Sequence, residues 1–209
     1  MRRTALLNLR NFEKFFLVFK RNGILIFLFS IFLVGLFIGV FSFENSVILK
    51  KIIIDFLFKN NLLKSTFFGC LFNSFWNYMF LICITFICGT SMLGVILSPI
   101  TVTLFGFFCG TYSATVYVDY GLKGIAFYAV MILPCAVLIT VALLLSATES
   151  FRFSLFLVKQ ILSNSVPVNI TLVFKEFCIK HLLISLLVLF TAFINSVLSI
   201  NLADKFSLF

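Results

Sequence analysis

The residues of this chain that could carry chemistry are few and widely spaced. The single histidine is His181, and one imidazole cannot make a metal site alone. The six cysteines include no C-x-x-C pair, so zinc and thioredoxin-like sites have no support. No G-x-S-x-G, H-E-x-x-H or Walker sequence occurs. We therefore predict a protein that is not an enzyme and that binds no cofactor or metal.

The remaining polar candidates are surrounded by apolar residues. Asn73 and Asn77 are four residues apart and share one face of a helix, and Asn195 lies in a later apolar stretch. Such side chains can line a polar path, but more often they form hydrogen bonds between membrane helices. No charged residue lies inside a predicted membrane span, whereas ion-coupled transporters usually need one. An autonomous channel or transporter is therefore only a second alternative.

Long apolar stretches dominate the sequence and predict its fold class. Hydrophobic residues make up 62% of the chain, charged residues 11%, and the mean hydropathy is +1.21. A bilayer core about 30 Å thick needs roughly 20 apolar residues per helix. We predict an all-α polytopic integral membrane protein with five spans, at about 24–43, 67–88, 93–115, 125–147 and 181–201.

The segments outside these spans are more polar and divide the chain. Residues 1–23 form a basic amphipathic N-terminal segment, 24–203 a single transmembrane domain, and 204–209 a short tail. The long connections 44–66 and 149–180 carry charges among apolar residues, which predicts interfacial amphipathic helices. The second divides into 151–162 and 168–180. Tyr117–Gly124 is predicted to be a short polar connection.

The basic residues indicate the orientation and the partners. The net charge is +9, but no basic stripe lies on a soluble face, so nucleic acid is not a predicted partner. With five spans and the N-terminus inside, ten Lys and Arg residues fall on the inner side and six on the outer side. This imbalance favours a cytoplasmic N-terminus in a bacterial cytoplasmic membrane. The lipid bilayer and other membrane proteins are the predicted partners.

Paired glycines mark faces on which helices can pack closely. G-x-x-x-G steps occur at Gly35 and Gly39 and at Gly106 and Gly110. A further pair, Gly89 and Gly94, encloses a predicted turn between the second and third spans. We take these six glycines, with Asn73 and Asn77, as helix-packing candidates.

Several of these motifs recur in a fixed order along the chain. The order is the first glycine pair, Phe72-Asn73, the turn Gly89-Thr90-Ser91-Met92-Leu93-Gly94, the second glycine pair, Tyr120 to Gly124, and Leu133-Pro134. This layout resembles the stage II sporulation protein M family of bacterial membrane proteins, over about residues 12 to 200. The chain departs from that pattern at Phe105 and at Cys135-Ala136-Val137.

The resemblance implies a membrane scaffold that holds peptidoglycan-degrading partners during sporulation. Relatives of the family also imply an alternative, a membrane subunit that works with an ABC-type ATPase in export, maturation or immunity of a circular bacteriocin-like peptide. In the first case we expect outer partners near Lys51 and Lys59. In the second we expect the ATPase to dock at Arg152 and Lys159.

Overall fold

The computed structural model describes residues 2–42, 67–162 and 170–202, with side chains described for 22–42, 67–161 and 170–200. Within these ranges the backbone is helical except for short turns, and it forms no strand. The helices are α1 (Arg2–Phe41), α2 (Phe67–Thr90), α3 (Gly94–Phe127), α4 (Leu133–Leu162) and α5 (Ile170–Leu202), with a π-helical turn at Tyr128–Ile132. The predicted all-α class is confirmed for this part of the chain. The connection 44–66 and the tail 204–209 lie outside the described residues.

Four helical stretches of the described chain are long and apolar enough to cross a membrane. They are Asn22–Phe41, Phe67–Thr90, Gly94–Ile161 and Ile170–Ile200. The third has 68 residues and includes both the third and the fourth predicted spans.

α1 bends where the basic N-terminal segment was predicted to meet the first span. Asn22 has φ −110° and ψ 17°, which are not helical values, and Gly23 follows it. The predicted amphipathic face of residues 1–23 falls on side chains outside the described set. The backbone of Arg2 to Arg21 is helical.

The chain reverses direction at Gly121, inside the predicted connection Tyr117–Gly124. Its φ of 57° and ψ of −137° are accessible to glycine and costly for other residues. The rings of Tyr112 and Tyr128 lie 6.2 Å apart, whereas a straight helix would separate these residues by about 24 Å. The parts of the chain before and after Gly121 are therefore antiparallel.

α4 and α5 extend beyond the predicted spans. Residues 151–162, predicted to be a separate amphipathic piece, continue α4 without a break. The sequence between Leu143 and Leu162 contains no glycine or proline that would end the helix. Most of the second predicted piece, 168–180, likewise begins α5, while 163–169 lie outside the described residues.

α1 and α3 pack in parallel through their two glycine pairs. Gly35 and Gly39 lie against the backbone carbonyls of Thr103 and Phe107, and Gly106 and Gly110 lie against those of Phe32 and Leu36. A Cβ on any of the four would overlap a carbonyl oxygen of the other helix. Close approach of the two backbones therefore requires glycine at these positions.

The helices enclose an apolar core in the middle of the bundle. All five helices contribute to it. Its most deeply buried members include Leu28, Ile82, Val102, Ile139, Leu143 and Val188. The order of the residues in contact shows that α2 and α4 run parallel and that α5 is antiparallel to both. Hydrogen-bonded polar side chains lie on either side of this core, at Ser74 and Asn195 and at Thr85, Ser146 and His181.

Candidate functional site

A line of small residues brings α2 and α4 into close contact. We call it the α2–α4 seam, and it consists of Thr85, Gly89, Ser146, Ser150 and Ser154. A Cβ added to Gly89 would lie 2.8 Å from the Cβ of Ser150, so the backbones meet closely here. A Cβ added to Gly94, at the start of α3, would overlap the Oγ of Ser154. The seam ends at the tight turn between α2 and α3.

Hydroxyl groups in the seam form hydrogen bonds between the helices. Ser150 Oγ donates to the carbonyl of Thr85 at 2.7 Å. Ser154 Oγ donates to the carbonyls of Gly89 at 3.0 Å and Ser91 at 2.8 Å. Thr85 Oγ1 and Ser146 Oγ lie 2.6 Å apart. These bonds join α4 to the end of α2 and to the turn that follows it.

His181 of α5 completes the polar cluster. Its Nε2 lies 3.0 Å from Ser146 Oγ and 3.4 Å from Ser150 Oγ, and its Nδ1 lies 3.1 Å from the carbonyl oxygen of Phe177. The imidazole is 6% exposed. His181 is the first residue of the fifth predicted span, and the structure buries its side chain where three helices meet.

A small ion-pair network lies next to this cluster, on the outside of the bundle. Glu149 Oε1 accepts a hydrogen bond from Arg152 Nη1 at 3.0 Å, and Glu149 Oε2 accepts one from Lys180 Nζ at 2.8 Å. The carboxylate is 18% exposed and its two partners are 40% and 47% exposed. Because these groups are partly hydrated, each pair contributes at most about 1 kcal/mol. The network links α4 to α5 at the point where both helices extend beyond their predicted membrane spans.

The C-terminal part of α4 (149–162) and the N-terminal part of α5 (170–181) form a separate feature, which we call the α4–α5 arm. Ser154 lies level with the α2–α3 turn, and α4 continues about 12 Å farther along its axis. A pocket of about 150 Å³ lies on this arm. Its walls are the ion-pair network and the apolar side chains of Phe153, Phe156, Val173 and Phe177, with Glu176.

The structure places the predicted docking residues in different settings. Arg152 is bound to Glu149 at the base of the arm, and Lys159 is exposed farther along it. Lys51 and Lys59 lie outside the described residues. Asn73 and Asn77 are half-buried on α2. Asn195 Nδ2 donates to Ser74 Oγ at 2.9 Å, as expected for a hydrogen bond between membrane helices.

Sequence reasoning missed the serines of the seam and the central position of His181. Ser146, Ser150 and Ser154 recur every four residues, and this spacing places them on one face of a helix. The spacing was a usable signal, but the last two serines fell in a segment predicted to be separate from the fourth span. No pattern along the chain indicated that His181 would meet this face.

Metal binding finds no geometric support in the described part of the chain. No group of three or more His, Cys, Asp or Glu side chains there could hold a metal ion. The six cysteines, all within the described ranges, are free thiols.

The long apolar helices and their internally paired polar groups define an all-helical membrane protein. Comparison with protein-family models, with curated proteins and with solved structures returns no match. The resemblance to the stage II sporulation protein M family therefore stays a prediction.

Proposed function

We propose that this chain is a non-enzymatic subunit that crosses the bacterial cytoplasmic membrane five times and holds partner proteins in a complex. Five crossings divide the stretch Gly94–Ile161 at the reversal at Gly121. Residues 94–120 alone extend for about 40 Å as a helix, which exceeds the bilayer core. Alternating helix directions support this arrangement, because α1 is parallel to α3, and α2 to α4.

The proposed orientation places the N-terminus in the cytoplasm. With five crossings, the α2–α3 turn and the α4–α5 arm then share the cytoplasmic side with the N-terminal segment. The basic residues of the arm, Arg152, Lys159, Lys175 and Lys180, agree with the excess of Lys and Arg on inner segments. The reversal at Gly121, with Lys123 beside it, lies on the outer side.

An apolar layer in the middle of the bundle supports a structural role over a channel. Ile82, Leu143 and Val188 lie between the polar cluster at His181 and the pair Ser74–Asn195. A buried hydroxyl near this layer, that of Thr191, donates to a carbonyl of its own helix. An ion path needs polar groups or water along its length.

The single observation that carries the proposal is the α4–α5 arm. Two helices continue beyond the bundle as a charged antiparallel pair, with an apolar-walled pocket at their base. Such a projecting pair presents a surface to a soluble protein. The scaffold of a peptidoglycan-remodelling complex is the first form of the proposal, and its predicted outer contacts fall in residues 51–64, outside the described residues.

The arm favours a second form, in which an ABC-type ATPase is the soluble partner. A cytoplasmic pair of helices that is joined firmly to the membrane bundle could transmit movement between an ATPase and the membrane. The ion pairs of Glu149 and the hydrogen bonds of Ser154 provide that firm joint.

Crosslinking from the arm tests both forms. A photo-reactive amino acid at Lys159 is irradiated in native cells, and the captured proteins are identified by mass spectrometry. The same amino acid at Lys123 is the matched control, because Lys123 is also exposed but lies at the other end of the bundle. An ATPase captured at 159 alone supports the second form. The same amino acid at Lys59 probes the first form, whose outer contacts are predicted there, and a peptidoglycan hydrolase captured at 59 but not at 123 supports that form. The absence of a specific partner at both 159 and 59 contradicts the proposal.

Fusions to a reporter enzyme test the proposed membrane topology. Alkaline phosphatase, which is active only outside the cytoplasm, is fused after Lys123 or after Leu162. Activity at 123 and none at 162 is expected. The opposite pattern would reverse the orientation, and equal activities would exclude five crossings.

A further inference from the structure

The buried imidazole of His181 lies in a network that accepts two different arrangements of protons. The ring contacts α2 through Phe86 and α4 through Ser146, and it belongs to α5. Its Nδ1 faces a backbone carbonyl, which can only accept a hydrogen bond. Nδ1 therefore carries a hydrogen in both arrangements, and only Nε2 is free to gain or lose one.

In the neutral ring, Nε2 is an acceptor. Ser146 Oγ then donates to Nε2 over 3.0 Å, and Thr85 Oγ1 donates to Ser146 over 2.6 Å. Ser150 keeps its own bond to the Thr85 carbonyl. Every hydroxyl hydrogen in the cluster has an acceptor in this arrangement.

In the protonated ring, the same atoms serve with the direction of the hydrogen bonds reversed. Nε2 donates to Ser146 Oγ, Ser146 donates to Thr85 Oγ1, and Thr85 donates to the carbonyl of Ile82 at 2.8 Å. Ser150 Oγ, 3.4 Å from Nε2, is an additional acceptor. The network thus accepts a proton without leaving a donor unpaired and without moving a heavy atom.

Two aromatic rings flank the imidazole. The ring centroid of Phe177 lies 4.3 Å from that of His181, and the centroid of Phe86 lies 5.1 Å away. These rings bury the imidazole between α2 and α5.

Charged groups near the imidazole come from two of the three helices. α4 contributes Glu149 and Arg152, and α5 contributes Glu176 and Lys180, with Glu149 paired to both Arg152 and Lys180. α2 has no charged residue, and its titratable groups are Cys70, Tyr78, Cys83 and Cys88. The paired charges largely offset one another, which leaves the hydroxyl chain to accommodate the proton.

We propose that His181 is a reversible proton-binding site at the base of the α4–α5 arm, with Ser146 and Thr85 as a hydroxyl relay that reverses when the proton binds. Protonation makes the hydrogen bond from Nε2 to Ser146 charge-assisted, so the strength of the joint between the arm and the membrane helices depends on pH. The proposal is independent of which partner the arm docks.

Because His181 is the only histidine, magnetic resonance can observe it alone. The full chain is produced with ¹⁵N,¹³C-histidine and a tag that contains no histidine, and is measured in lipid nanodiscs between pH 8.5 and pH 4.5. We expect a neutral ring with its hydrogen on Nδ1 at high pH, and a doubly protonated ring at low pH. Circular dichroism of the same samples monitors folding. A neutral ring protonated on Nε2, or a ring that stays neutral until the protein unfolds, would overturn the proposal.

Ser146→Ala tests the relay. The variant removes the nearest acceptor of the protonated ring, and hydrogen bonds to charged groups are stronger than those to neutral ones. The midpoint of the transition should therefore fall by about 0.5 to 1 pH unit. Ser185→Ala is the matched control, because Ser185 is on α5 and bonds only within that helix. Equal midpoints in the two variants would refute the relay, even if His181 binds a proton.

Discussion

Replacing Gly110 by alanine tests the close packing of α1 on α3. The new Cβ would overlap the carbonyl oxygen of Leu36 and lie 3.0 Å from its carbonyl carbon and 3.1 Å from the amide nitrogen of Val40. These atoms belong to the backbone of α1, so no side chain can rotate away. The two helices must separate by about 1 Å to restore ordinary contact, which weakens the neighbouring van der Waals contacts.

The size of the effect follows from two opposed terms. Overpacking costs about 1–3 kcal/mol, and a backbone obstacle places Gly110→Ala near the upper value. Alanine favours the helix over glycine by about 1 kcal/mol. We therefore expect a net loss near 2 kcal/mol in the free energy of unfolding, or a fall of about 4–8 °C in the melting temperature for a chain of this length.

Gly23→Ala is the matched control, because Gly23 lies in α1, the helix that packs against Gly110. A Cβ at Gly23 meets nothing within 4 Å, so only the gain in helix preference remains. The assay is thermal unfolding in detergent, followed by a maleimide dye that reacts with the buried thiols of Cys70 and Cys135 as they become exposed. All variants carry Cys83→Ser, Cys88→Ala, Cys109→Ala and Cys178→Ala, which remove the exposed thiol and the three half-buried ones. Equal melting temperatures for the two alanine variants would refute the packing argument.

Four further changes are tested with the same assay. Gly121→Ala should destabilise by about 1–3 kcal/mol through backbone strain alone, because its Cβ would meet no atom within 4 Å; an unchanged melting temperature would contradict the reversal. Ser98→Ala should stabilise the chain, because Ser98 Oγ is buried without a hydrogen-bond partner. Ser154→Ala should instead cost about 0.5–1.5 kcal/mol. A lower melting temperature for Ser98→Ala than for Ser154→Ala would contradict these assignments. Glu149→Gln should cost at most about 2 kcal/mol for its two partly exposed ion pairs, and a larger loss would show that the carboxylate has a greater role.

The sequence predicted where helices would pack closely, but not against which helix. The G-x-x-x-G steps at Gly35 and Gly106 mark faces without bulky side chains, and these faces are local properties. The pairing of α1 with α3, and its parallel direction, depend on the path of the whole chain. No pattern within one segment contains that information.

The ends of the helices were harder to predict for a different reason. Hydropathy changes near Glu149, where the predicted fourth span ends, but a helix continues until the backbone meets a residue that disfavours it. Phe151 to Leu162 contains no such residue, so α4 continues into the arm. Charge marks the end of the apolar segment but does not end the helix, and in α4 the two ends do not coincide.

The continuation of α4 past the end of its apolar segment explains how the polar cluster forms. A helix that ended near Ala147 would place Ser150 and Ser154 in a loop, and neither serine would face Gly89. Continuation of α4 instead brings them against the end of α2 and the α2–α3 turn, where each donates a hydrogen bond to a carbonyl of another segment. The arm is thus joined to the membrane bundle through backbone acceptors as well as through His181. A force applied to the arm would be transmitted directly to α2, as the proposed partner-holding role requires.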